Sequence, residues 1–147
     1  MMVVLLGGSE HDVNMITTDV MEGFKSRVQH LSIAHVLSAD VRVRQLTSAL
    51  VAARRPRQIT IVTGLKSGAE VDLCRSRGAT IAHVYGPLGA IYKEVAIKRE
   101  DLHIAPVPRP DHPAHVLSAE EALSVAQLRL RQQRDKPPVL KSTTHEI

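Results

Sequence analysis

The chain has no tryptophan, and Phe24, Tyr85 and Tyr92 are its only phenyl-type aromatics. Base-stacking platforms of the OB-fold or RRM kind need several exposed rings, so that composition excludes them. Cysteine is rarer still: Cys74 stands alone, which excludes an intrachain disulfide and any cysteine-rich zinc site. It falls on the apolar side of a helical pattern and reads as a buried small hydrophobe. No apolar run approaches the length that spans a bilayer, and Met1 to Leu6 is too short for a signal-peptide core and lacks a basic flank. The chain is therefore expected to be soluble and cytoplasmic, with no membrane partner.

What is present suits one α/β domain over residues 1–135 with a tail at 136–147. At 147 residues and 44% hydrophobic content the chain can bury a real core. Gln58 to Val84 organises the rest. Ile59 to Thr63 is a β-branched run of the kind buried on both sheet faces, and it ends at Gly64. Ser67 with Glu70 forms a capping-box pattern, Ala69, Val71, Leu73 and Cys74 give a helical stripe, and Gly78 stops it before Ala79 to Tyr85. Strand, helix and strand in this order predict a right-handed parallel crossover.

Met2 to Leu6, then Gly7 and Gly8, then Val13, Ile16, Val20 and Phe24 predict a strand, a glycine turn and a helix. Such a turn can aim backbone N–H groups at an anion, or it can be only a tight turn. A Walker A loop would need a Lys and a Ser or Thr, whereas GGSEHD has no Lys and two acids. His30 to Leu37 predicts a second strand, with His30 and His35 on opposite faces. Ser38 caps a helix whose apolar side is Val43, Leu46, Leu50 and Ala53. Ile91 to Ile97 with Leu102 to Val107 suggests a hairpin or edge pair across the polar link 98–101, and four prolines between 106 and 113 impose an extended segment. Ser118 and Glu121 open a last helix that ends before Pro137. AHVLSAD (34–40) and AHVLSAE (114–120) read as one strand-to-helix entry used twice. The expected fold is α/β, with a mainly parallel four- or five-stranded sheet and helices on both faces.

Nineteen Lys and Arg against fifteen acids leave a charge of +4. Arg54, Arg55 and Arg57 cluster before the central strand, and Arg129, Arg131, Arg134 and Lys136 crowd the end of the last helix. Both clusters suit a nucleic-acid contact or simply a helix dipole. Asp111, His112 and His115 could face a cation, but a third neutral ligand is missing, and no metal or other cofactor is expected. Glu70 and Asp72 diverge on their helix, and no catalytic residue is assigned.

GLKSGAEVDLCRSRGATIAHV resembles the segment of phage-type deoxynucleoside monophosphate kinases in which a strand ends in D-x-R-F, followed by N-E, a short helix and G-G. Lys66 and Arg75 align with arginines of that family, Glu70 with its Glu and Gly78 with its Gly. VQHLSIAHVL (28–37) and HVLSAEEAL (115–123) are similar to two further elements. The departures are specific: Gly64 stands where the family has its magnesium-side Asp, GGSEHD stands where it has the P-loop Lys, and Arg54 leaves no room for a lid. The resemblance implies a relative that kept the sheet and lost phosphoryl transfer, acting as an assembly or nucleic-acid-associated scaffold. IVTGLKSGAEVD also looks like Rossmann-type families with T-G-G-x-x-G-x-D, which implies a nucleotide or phosphate over Gly7, Gly8, Gly64 and Gly68. The candidate ligand residues are Gly7, Gly8, Ser9, Gly64, Lys66, Ser67 and Glu70. Candidate partner contacts are Arg129, Arg131, Arg134, Val139 and Leu140, the last two in a tail expected to dock on a neighbouring subunit and make an oligomer.

Overall fold

β1 (Met2–Leu6) is buried at every position because it lies at the centre of a parallel sheet with helices on both sides. A computed structural model describes residues 1–24, 27–55 and 57–135, without the side chains of Arg134 and Asp135. Val4 pairs with Val62 of β3 (Ile59–Thr63) on one side and with Ile81 of β4 (Thr80–Val84) on the other. β2 (Val28–Ser32) lies outside β3, while β5 (Leu102–Ile104) and β6 (Val116–Leu117) extend the sheet beyond β4. The order is β2-β3-β1-β4-β5-β6, and every pairing is parallel.

The pleat divides the core. Val3 and Leu5 face α1 (Glu10–Phe24) and α4 (Ala119–Asp135), with Ile16, Val20, Ala122 and Leu123 buried against them. Met2, Val4 and Leu6 face α2 (Ala39–Ala52) and α3 (Gly68–Ser76), where Leu46, Leu50, Val71 and Cys74 close the other layer. The chain moves outward from β1 to β2 through α1 on one face. It moves back from β2 to β3 and on to β4 through α2 and α3 on the opposite face, so direction and face reverse together and the crossovers keep one hand.

The α/β class, the parallel sheet and helices on both faces agree with the sequence reading, but the sheet has six strands rather than four or five. The expected hairpin is absent among the described residues. Ala90–Lys93 is a single 3-10 turn, and Leu102–Ile104 pairs parallel with β4, because Ile91 and Tyr92 pack on the core instead of extending beside it. β2 stops at Ser32, and Ile33 to Leu37 turns over the end of β3 with Ile33 N–H bonded to Thr63 O. The two similar words consequently differ: Ser38 and Val116–Leu117 plus Ser118 precede helices, but only the second word contains a strand. On α2 the stripe runs Arg42, Leu46, Leu50 and Ala53, while Val43 is 45% exposed. An arginine occupies the buried position assigned to a valine.

Candidate functional site

Where β1 ends, the chain leaves toward α1 on one face of the sheet; where neighbouring β3 ends, it leaves toward α3 on the other. Adjacent strands whose continuations diverge open a crevice at their carboxyl ends. Here it is a cleft of about 660 Å³, with Gly7, Gly8, Ser9 and Gly64 in its floor and His30, Thr63 and His35 along one wall. Tyr85, Pro87 and Ile91 close the other side.

The loop between β1 and α1 is only Gly7, Gly8 and Ser9, too short for a phosphate-wrapping P-loop. Two N–H groups at the helix entry are also engaged internally. Ser9 N–H donates to Asp12 Oδ2 at 3.2 Å, and Asp12 N–H donates to Ser9 Oγ at 3.1 Å, a reciprocal cap that puts a carboxylate where an anion would bind. Glu10 and Asp12 both line the rim, and no Lys or Arg does so among the described residues. His30 Nε2 lies 2.8 Å from Thr63 Oγ1, and burial lowers the His30 pKa. His30 and His35 share this cleft, contrary to the expectation of opposite faces; His35 lies beyond β2, where strand alternation no longer applies.

The seven candidate ligand residues separate into two groups. Gly7, Gly8, Ser9 and Gly64 line the cleft, whereas Lys66, Ser67 and Glu70 lie outside its lining at the start of α3. Ser67 caps that helix by accepting from Glu70 N–H at 3.3 Å, and Gly68 N–H donates to Glu94 Oε1 at 3.1 Å. Lys66 is exposed, and its N–H donates to Glu70 Oε1. The Glu70 carboxylate does not close a capping box on Ser67. It accepts from Arg42 Nε at 2.7 Å and Nη2 at 2.9 Å, and the paired guanidinium is the main reason its pKa is lowered. The same guanidinium donates to the carbonyls of Ile33, Val36 and Gly64, fixing the β2–α2 turn that forms one cleft wall. Arg42 was missed in sequence, although its position four before Leu46 places it on the buried stripe.

A second network lies beneath the Gly7 turn. Arg75 Nη1 and Nη2 clamp Asp101 at 2.6 and 2.7 Å; Asp101 Oδ2 is 2.7 Å from His83 Nε2; His83 Nδ1 is 2.7 Å from the Tyr92 hydroxyl. Burial alone would raise the Asp101 carboxyl, but the Arg75 guanidinium, His83 and Lys98 N–H outweigh it and hold the group at about 2. An ionised carboxylate only accepts, so in the neutral ring Nε2 carries the proton and Nδ1 accepts from Tyr92. Burial pushes the Tyr92 phenol up to about 12, so its hydroxyl stays protonated, 3.4 Å from Leu6 O. The polar link at 98–101 thus contains a buried anchor, and His83 is 2% exposed inside a strand chosen only for its apolar character.

The other candidates scatter. His112 stacks edge-on with Tyr85 and accepts from Arg109 N–H, while His115 stacks on His103, so Asp111, His112 and His115 do not face one cation. Among the described residues no three His, Cys, Asp or Glu side chains converge as a metal site. Arg129 donates to Glu100 O at 2.7 Å and Arg131 lines a groove at the opposite end of the sheet. The Arg134 side chain, Val139 and Leu140 lie outside the described residues, and the docking tail with them. No helix among the described residues is long and apolar enough to cross a membrane. No protein-family model matches the chain, and no curated protein matches it.

Proposed function

We propose that this chain is a binding domain that holds a small polar ligand of the nucleoside class in the crevice over β1 and β3, without P-loop phosphoryl transfer. The supporting observation is positional: the two glycine turns singled out in the sequence meet over the carboxyl ends of β1 and β3, neighbouring strands whose continuations leave on opposite faces of the sheet. The resemblance to nucleotide kinases supplies the ligand class. The lining narrows it, because Glu10 and Asp12 at the rim oppose a polyphosphate while His30, Ser32, Thr63 and Asn14 offer neutral hydrogen-bonding groups. Phosphoryl transfer needs charge neutralisation at the metal and phosphates. At Gly64 a side chain would collide with the backbone of Ala34, so an Asp has no room there.

Thermal shift of the full chain against nucleosides, their monophosphates and their triphosphates tests this reading. A nucleoside or monophosphate should raise the melting temperature by about a degree or more at millimolar concentration, with the triphosphate weaker. No response to any of them, or ATP-dependent conversion of a nucleoside monophosphate above a heat-killed control, would overturn it.

A further inference from the structure

At the end of the sheet opposite the cleft, the segments that precede β3 and β4 and the ends of α2, α3 and α4 surround a groove of about 740 Å³. Arg27, Arg54, Arg55, Arg57, Arg77 and Arg131 line it, drawn from four separate parts of the chain. No carboxylate lines the groove or pairs with any of these six arginines among the described residues. Removing six positive charges from the chain's +4 leaves −2, so the entire basic excess is gathered here. Helix dipoles account for one cation at each helix end, but they do not account for six guanidiniums converging without an acid.

Arg57 adds an independent sign. Its φ is +64°, and it is the only described non-glycine residue with a positive φ. A side chain in that region costs on the order of 1 kcal/mol relative to glycine, so the arginine is held at a position where its backbone is strained. Strain of this kind clusters at functional sites. Two flanking carbonyls are also held together: the Met1 nitrogen donates to Ala53 O at 2.7 Å and to Gln58 O at 2.8 Å.

We infer that this groove binds the phosphate backbone of a nucleic-acid duplex, independently of the ligand in the cleft. All six cations are arginines, whose planar forks pair with phosphate oxygens in bidentate fashion, and Gln58, Gln127 and Gln133 add neutral donors along the same lining. None of the three phenyl-type aromatics lines the groove, so single-strand capture by base stacking has no platform, and contact is to phosphates without sequence preference. A groove, rather than a flat basic face, suits a curved strand of phosphates and not a bilayer.

Fluorescence anisotropy with the full chain and a labelled mixed-sequence duplex of about two helical turns, as DNA and as RNA, tests the inference. Binding to either duplex at about 50 mM salt should weaken steeply as salt rises. Changing Arg54→Ala, Arg55→Ala and Arg57→Gly together should lower affinity about tenfold or more and make the salt slope shallower by roughly 3. Arg57→Gly alone relieves the backbone strain, so it should weaken binding while melting no lower than the parent. No duplex binding at low salt, unchanged affinity in the triple variant, or tighter binding to single strands or to phosphatidylserine vesicles would overturn the proposal. Addition of a nucleoside should leave duplex affinity unchanged, so failure at the cleft and failure at the groove give different results.

Discussion

Arg42 and Glu70 come from different helices and meet fork to fork over the end of β3, with side-chain exposures of only 5% and 10%. The pair does more than neutralise itself. Arg42 also holds three backbone carbonyls, and Glu70 also accepts from Lys66 N–H, so α2, α3 and both turns beside the cleft share one set of hydrogen bonds. A buried pair of this kind adds little over an apolar pair, but losing one partner strands the other.

Arg42→Ala should therefore lower unfolding free energy by about 3–5 kcal/mol, since Glu70 and three carbonyls lose their donor. Arg42→Met and Glu70→Met together should cost clearly less than the Arg42→Met and Glu70→Met single changes added together. Urea denaturation of the four proteins gives the coupling energy directly. Additive losses below about 1 kcal/mol each would show that the pair is not holding the helices.

Acid should find the Asp101 network. Its carboxyl is held at about 2, below the ordinary 3.8, so between these values the unfolded chain binds a proton that the folded chain does not. The resulting stabilisation is complete above about pH 4 and is lost as pH falls toward 2. Asp101→Asn should cost about 3 kcal/mol at neutral pH by leaving Arg75 unpaired, and it should flatten the stability profile in that acid window. Glu70, also lowered, leaves a residual slope of the same sign. An unchanged acid profile in the variant would refute the assignment.

The seven elements from β1 to β4 were legible because the apolar runs of β1, β3 and β4 are continuous and the helix caps are local: Ser38 and Ser67, like Ser118 before α4, accept from a helix N–H as their spacing suggests. What escaped was everything decided by partners far along the chain. β5 and β6 are three and two residues long, too short to show a period, and are strands only because β4 offers an edge. Arg42, His83 and Asp101 look like surface or linker residues until their partners at 70, 92 and 75 fold against them. The glycine turns of the cleft were visible, yet the Ser9–Asp12 cap that fills the anion position was not recognised from the same six letters. The arginines at 54, 55 and 57 were visible as a cluster, but only the fold adds Arg27, Arg77 and Arg131.

Cys74 should be inert in the native protein. Burial, with a contribution from the Glu70 carboxylate, pushes its thiol up to about 11, and the side chain is fully enclosed by the α2–α3 core layer. A thiol reagent such as DTNB at neutral pH should modify it only in denaturant, at the rate of global unfolding. Fast modification of the folded chain would show that α3 opens locally.

Gly64 provides a test that separates backbone strain from crowding. Both Gly64 and Gly78 have positive φ, +89° and +86°, so alanine at either meets the same intrinsic penalty of about 1 kcal/mol. They differ in surroundings: a Cβ at 78 meets nothing within 4 Å, whereas a Cβ at 64 would press on the N, Cα and Cβ of Ala34. Backbone cannot rotate away as a flexible side chain can, and this stretch is further pinned by Arg42 through Ile33 O and Val36 O. Gly78→Ala should therefore cost about 1 kcal/mol, and Gly64→Ala should cost a further 1–3 kcal/mol from overpacking. Gly64→Asp, which installs the residue that the nucleotide-kinase resemblance would place there, should destabilise at least as much and recover no activity. Equal losses at the two glycines in urea melts would mean that the Ala34 turn yields, and that the end of β3 has room for a metal-binding carboxylate after all.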